Sequence, residues 1–164
     1  MDIVDQNDCV IQTLPRSEVY GRNLCSQMRS VWMMIRNSKG QLWIPRRSFA
    51  LAILPGHLDG SVVGHVQAGE SYEQAMYREA EEEVGIDMAY VSYRLLGKLN
   101  PFDHKSFCFS TVYECQLDQA PEDWNRDDID SWQWMYPEEV LARCNEQEKF
   151  KDMLPMVIRH FYLP

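Results

Sequence analysis

Residues 64–86 read GHVQAGESYEQAMYREAEEEVGI, and this stretch decides the fold. The run from Ser71 to Val84 carries no breaker and is followed by Gly85, so the pattern predicts a helix over 71–84 with glycine just past its C-terminus. At 100° per residue, Glu79, Glu82 and Glu83 share one arc at positions i, i+3 and i+4. Met76, Ala80 and Val84 form the adjoining apolar arc, and Glu81 points to the opposite side, toward solvent. A charged helix face is ordinarily a solvated one, supported by Lys or Arg four residues on. Here Glu79 meets Glu83, Glu82 meets Ile86 and Glu83 meets Asp87. Like charges at that spacing cost roughly 0.2–0.5 kcal/mol per pair. Carboxylates clustered beside an apolar face without basic partners suit a hard divalent cation, Mg2+ or Mn2+.

The flanks of this helix read mostly as strands. Upstream, residues 29–36 are rich in Val, Trp, Met and Ile, and the turn Asn37-Ser38-Lys39-Gly40 joins them to a partner strand over 41–46. A third strand is expected over 61–66. Residues 49–54 are apolar throughout and end at Pro55-Gly56, so they form a loop or a brief buried piece. Six apolar residues in a row favour cover for a neighbouring subunit or for the mouth of a substrate pocket, with simple burial as the alternative. Downstream, strands are expected over 89–99, 106–117 and 131–136, with Trp132 and Trp134 on one face. Pro137 then opens a helix, and an amphipathic segment over 149–162 is interrupted by Pro155. A strand over 9–14 and a short helix from Ser17 to Leu24 precede all of this. The fold class is therefore α/β, a mixed sheet flanked by helices, with an N-terminal strand and helix extension over 1–27 and a main domain over 28–164.

Composition agrees with one globular domain. Of 164 residues, 45% are hydrophobic and 25% charged, which excludes a disordered chain. The net charge of −9 is concentrated in two places. Residues 64–86 hold six Glu and one Arg, and residues 122–130 hold five acids and Arg126, so the rest of the chain is neutral. An acidic surface repels phosphate and disfavours nonspecific nucleic-acid binding. Residues 1–15 carry three Asp and no basic residue, unlike a secretory signal, and no apolar run approaches the ~18 residues of a membrane span. The five cysteines include no CxxC pair and read as reduced packing residues in a cytoplasmic protein.

The spacing within 64–86 carries a resemblance. Gly64, five residues, Glu70, seven residues, then Arg78-Glu79-Ala80-Glu81-Glu82-Glu83-Val84-Gly85-Ile86 resembles the Nudix box, GX5EX7REUXEEXGU, with only Ala80 small where a bulkier aliphatic is usual. The resemblance implies an α/β/α sandwich in which this loop-helix-loop binds divalent metal and the diphosphate of a small-molecule substrate. The implied activity is Mg2+-dependent hydrolysis of a diphosphate bond in a nucleoside diphosphate-linked or related compound, by attack of water on phosphorus. Glu79, Glu82 and Glu83 match the family's metal-binding glutamates, with Glu82 or Glu83 as the base. Arg78 and Glu70 match the pair that braces loop against helix. Gly64 permits close backbone approach, which a Cβ would block. Several Nudix enzymes use an acid outside the box, and Asp128 is the candidate here, against a plain solvated loop.

The stretch Arg46-Arg47-Ser48, Pro55-Gly56-His57-Leu58-Asp59 and Ser61-Val62-Val63-Gly64-His65 resembles the isopentenyl diphosphate isomerase branch of that superfamily. The departures from it are specific. Val63 stands in place of the isomerase cysteine, Met28 in place of a metal-ligating histidine, and Leu51 in place of a lysine of the diphosphate site. The implied protein is a hydrolase of the isomerase-like subgroup. An isomerase-like enzyme and a non-catalytic ligand-sensing module are the alternatives. Arg46 and Arg47 are candidates for substrate phosphate or a surface pair, and His65 for the substrate site or a hydrogen-bonded loop histidine. Trp132 and Trp134 read as core or as a stacking platform for a base. A homodimer would cover residues 49–54.

Overall fold

The strand Arg29–Arg36 is buried along almost its whole length on both faces, which only a central strand with helices on either side achieves. The computed structural model describes residues 1–163 apart from Gln147. Its strands are β1 (Asp2–Val4), β2 (Val10–Thr13), β3 (Arg29–Arg36), β4 (Leu42–Arg47), β5 (Val62–His65), β6 (Tyr93–Leu99), β7 (Phe109–Gln116) and β8 (Ile129–Met135). Its helices are α1 (Arg16–Gly21), α2 (Tyr72–Val84), α3 (Pro137–Asn145) and α4 (Leu154–Phe161).

The main sheet runs β6-β7-β3-β4-β8 and is mixed, since β3 and β7 are parallel while the other neighbours are antiparallel. β4 parts from β3 after a single registered pair, Arg36 with Leu42. The short strand β5 takes the vacated place, pairing Ser30–Met33 with His65–Val62. That splay gives β5 a free edge, and the site is built along it.

The alternation of β3 separates two cores. Val31, Met33 and Ile35 meet Ala75, Met76, Ala80 and Val84 of α2. Trp32 and Met34 meet Val140 of α3 with Leu154, Val157 and Ile158 of α4. The architecture is the expected α/β/α sandwich. α2 begins with a Ser71–Gln74 capping box and ends at Gly85, whose φ of 65° is left-handed.

Several local expectations are corrected. Residues 88–90 form a 3-10 turn capped by Asp87, so β6 begins only at Tyr93. Pro155 does not interrupt a helix but lies in the first turn of α4, where a missing N–H costs nothing. β1 was not anticipated: three residues are too few for a periodic signal, and they gain a partner only by pairing with β2. A small cluster of Ile3, Val19, Met28 and Cys108 fastens β1 and α1 to the sandwich. Residues 49–54 are not buried in the core, and Phe49 and Ile53 are 67% and 62% exposed. Among the described residues, no helix is long and apolar enough to cross a membrane.

Candidate active site

Arg78 organises the loop before α2. Its Nε and Nη2 donate to the two carboxylate oxygens of Glu70 at 2.8 and 3.0 Å, and Nη2 also donates to the His65 carbonyl at 3.0 Å. Nη1 reaches Glu79 at 2.7 Å and Glu82 at 3.2 Å. Glu70 in turn accepts the Gln67 amide at 2.8 Å, which closes the loop. The acidic arc therefore has a basic partner, supplied by the residue before Glu79 rather than four residues after it. Glu70 holds the Arg78 guanidinium well above its ordinary range, and Arg78 pulls the Glu70 carboxyl down.

Glu79 and Glu83 lie along β5. A Cβ at Gly64 would overlap the Glu79 carboxyl, so glycine is required for this approach. Glu83 Oε2 accepts the Val63 amide at 3.1 Å. Burial raises the Glu79 carboxyl, with Arg78 opposing. Burial, followed by the charges of Asp59 and Glu79, pushes the Glu83 carboxyl up to about 8, with the Val63 amide opposing. Glu82 stands apart, 58% exposed and held only by Arg78, while Glu81 faces solvent as expected.

Sequence reasoning missed two contributors. Asp59 is buried and binds Lys151 Nζ at 3.1 Å and Arg47 Nη1 at 3.2 Å. Asp59 lay within a quoted motif but carried no charge pattern of its own, and Lys151 lay in a segment read only as amphipathic.

Among the described residues, no three His, Cys, Asp or Glu side chains stand in an arrangement that holds a metal ion. The chemistry of the donors nevertheless fits a hard divalent cation. Glu83 is a buried carboxylate with one amide partner, it lies in the field of two more carboxylates, and every donor is oxygen.

On the other face of β5 lies a cavity of about 360 Å3, walled by Val63, Gly64 and His65 with Trp32 and Met153. Ile53 and Leu54 of the apolar loop line it, as do Arg47 and Lys151. Arg47 also donates to the carbonyls of Ile53 and Leu54 at 3.1 and 3.2 Å, anchoring that loop. Arg46 is not part of the lining; it binds the Gly56 carbonyl at 2.8 Å and the Glu148 carboxylate. His65 is held at about 4 by burial and by the charges of Arg16 and Lys151, so its ring is neutral. Asp128 accepts from Asn125 Nδ2 at 2.7 Å at the start of β8, beside Ser48, and does not line the cavity. Trp132 and Trp134 pack on the α2 side of the sheet, with Trp132 6.0 Å from the Trp43 ring, which is core packing. Met28 is wholly buried, and the five cysteines are free.

Comparison with known proteins agrees with this geometry. The family model for the NUDIX domain matches residues 26–156. A Nudix hydrolase of Nostoc sp. is 44% identical over 162 residues, covering 99% of this chain and 95% of its own. A Nudix hydrolase of Deinococcus radiodurans is 39% identical over 162 residues, covering 99% and 93%. The crystal structure of DR0079 from Deinococcus radiodurans superposes with a TM-score of 0.92 at 39% identity, covering 98% of both chains. The fold is also that of a MutT protein from Methanosarcina mazei, with a TM-score of 0.64 at 24% identity over 82% of this chain and 91% of that one. The braced acidic loop, the Nudix helix and full-length similarity to named hydrolases lead to one conclusion: the chain belongs to the Nudix family of hydrolases, which act on pyrophosphate bonds.

Proposed function

We propose that this protein hydrolyses a diphosphate bond in a nucleoside diphosphate-linked or related small molecule, with Mg2+ as the natural cation and Mn2+ as a substitute. The single observation that carries the reading is the buried Glu83 carboxylate, set beside Glu79 and in the field of Asp59. Glu79 is paired with Arg78 and Asp59 with Arg47 and Lys151, but Glu83 has only an amide partner, and an oxygen donor so placed suits a divalent cation and, through it, phosphate oxygens. When bound, the cation offsets the charge of the diphosphate and acidifies a water molecule.

The chain's own residues supply the rest. Glu79 and Glu83 would hold the cation, and Glu82, exposed on the same helix, would complete the set. Burial favours the protonated form of Glu83 in the free protein, so as a ligand it would have to give up that proton, and Glu82 or Glu83 would serve as the base toward the attacking water. The water oxygen bonds to phosphorus, the bridging P–O bond breaks, and its electrons leave with the departing phosphate. Arg78 and Glu70 hold the loop still while this happens. Asp128, whose carboxylate accepts from Asn125, is a second candidate base. Gly64 and His65 border the substrate, and Arg47 fixes the loop above it.

The isomerase-like placement within the family is part of the same proposal. It rests on the Arg46–Ser48, Pro55–Asp59 and Ser61–His65 stretches, while Val63 and Met28 remove the isomerase's proton donor and second metal site. A cytoplasmic location accords with five free cysteines. The test is a panel of diphosphate compounds assayed with and without Mg2+, in water enriched in oxygen-18. Metal-dependent release of a phosphorylated product carrying the label supports the reading. Absence of turnover on every member, with Mg2+ and with Mn2+, overturns it.

A further inference from the structure

The cavity beside β5 is cationic in a chain whose net charge is −9. Arg16, Arg47 and Lys151 line it, against the single carboxylate of Asp152. Two of these cations are already engaged: Arg47 and Lys151 both bind Asp59. Arg16 makes no ion pair among the described residues, and its guanidinium lies over the Tyr20 ring at 5.5 Å. Both residues belong to α1, ahead of residue 26, where the family match begins. Val19 holds α1 in place by burying itself against Met28 and Cys108, and Cys108 forms part of the same cavity. The segment before the family domain therefore completes a pocket that the domain alone leaves open.

The remaining walls are of a different chemistry. Trp32, Phe107 and Met153 are apolar, and about 360 Å3 is room for a group the size of a nucleoside. Gly64 lines this cavity and is also the residue whose missing Cβ admits the Glu79 carboxyl, so the cavity and the acidic site meet at β5. A planar guanidinium without an ion-pair partner binds phosphate in a bidentate fork, and phosphate is the anion that the pyrophosphohydrolase reading supplies.

We propose that Arg16 is a specificity-determining residue: it binds a phosphate of the substrate at the mouth of the cavity, positioned by Tyr20, while the organic group lies against Trp32, Phe107 and Met153. This rests on the pyrophosphohydrolase reading above. Arg16 and Tyr20 line the cavity and belong to no part of the acidic arc, so their contribution is to binding. Arg16 is exposed, and replacing it leaves the cores untouched.

The experiment has a kinetic arm and a binding arm. In the first, Arg16→Gln raises KM by roughly 10- to 100-fold for the nucleoside diphosphate that wild type cleaves fastest, with kcat within about twofold. Arg16→Lys recovers part of the loss, and Tyr20→Leu gives a smaller rise. In the second, calorimetry with the uncleavable α,β-methylene-ADP shows the same loss of affinity in Arg16→Gln, while adenosine binds wild type and variant alike. An unchanged KM and Kd, a loss confined to kcat, or an equal loss for adenosine each overturns the assignment, as does failure of wild type to bind the analogue. Arg16-dependent binding of the analogue by a protein that cleaves nothing upholds Arg16 and overturns the hydrolase reading instead.

Discussion

Glu83 Oε2 accepts the amide hydrogen of Val63 at 3.1 Å, so the last turn of α2 is tied to the free edge of β5. A carboxylate with a single amide partner is poorly compensated, and the protein tolerates it by raising its proton affinity. Together with the bond from Arg78 to the His65 carbonyl, this contact joins the helix that carries the acids to the strand that walls the cavity.

Replacing the buried acid separates it from its solvated neighbour. Glu83→Gln keeps the shape and removes the charge, and hydrolysis should fall by roughly 10²–10⁴-fold. Stability of the metal-free protein at neutral pH should hold or rise, since the fold no longer has to keep a buried acid protonated. Glu81→Gln should change activity and stability little, within about 0.5 kcal/mol for the latter. Steady-state kinetics and thermal melts decide the point, and equal effects from the two variants would sink the assignment.

His65 gives a pH test. Its folded value of about 4 lies below the ordinary 6.5, so the fold favours the neutral ring. The stability this confers is complete above pH 6.5 and is lost as pH falls from 6.5 toward 4. Denaturant melts should show wild type losing more stability than His65→Gln across that window. An NMR titration in which the His65 ring protonates near 6.5 would contradict the burial argument.

Arg78→Lys should be far from conservative. Lysine keeps the charge but loses the fork that grips Glu70 and the His65 carbonyl together. A loss of about 1–3 kcal/mol in stability is expected, with a larger loss in kcat because the loop before α2 is freed. Chemical denaturation and kinetics on the same preparation provide the measurement.

The apolar loop offers a separate test at Ile53, which is exposed yet lines the cavity. Ile53→Ser should raise KM several-fold while leaving stability within about 0.5 kcal/mol. Light scattering on wild type and variant shows whether the same side chain also covers a second copy; a dimer that dissociates in the variant assigns it to the interface.

Val63 predicts an absence of isomerase chemistry. Its side chain neither donates nor accepts a proton, so no deuterium should enter the allylic carbon of isopentenyl diphosphate in heavy water. Val63→Cys alone should not restore exchange, because Met28 is enclosed with Ile3, Val19 and Cys108 and offers no metal ligand. Mass spectrometry of the recovered diphosphate reads the outcome directly.

How far the sequence reached depended on how local each feature was. α2 and its acidic arc were legible because cap, period and terminating glycine all fall within about one box of sequence. The two-sided burial of β3 was visible as an unbroken apolar run. The parallel pairing of β3 with β7 was not, since Ser30 meets Ser110 across 80 residues and nothing in either strand names the other. Lys151 and Asp59 meet across 92 residues for the same reason. The partner of the glutamates was missed differently: a search four residues ahead overlooks an arginine that reaches both forward along the helix and back to Glu70. Loop residues 49–54 read as apolar, yet only Ile53 and Leu54 reach the cavity and Phe49 stays exposed, which no local pattern distinguishes.

Asp2 in β1 accepts the Gly69 amide at 2.9 Å and the Arg29 guanidinium at 3.1 Å. A single carboxylate near the start of the chain thus pins the tip of the loop that Arg78 closes from the other side. Each transient opening of the β1–β2 hairpin must release that amide to solvent, so the exchange rate of the Gly69 hydrogen is a clock for hairpin opening. A substitution such as Asp2→Asn, far from any phosphate, should speed that clock and loosen the loop by the same fluctuation, and the site's rigidity would then be inherited from a segment that takes no part in its chemistry.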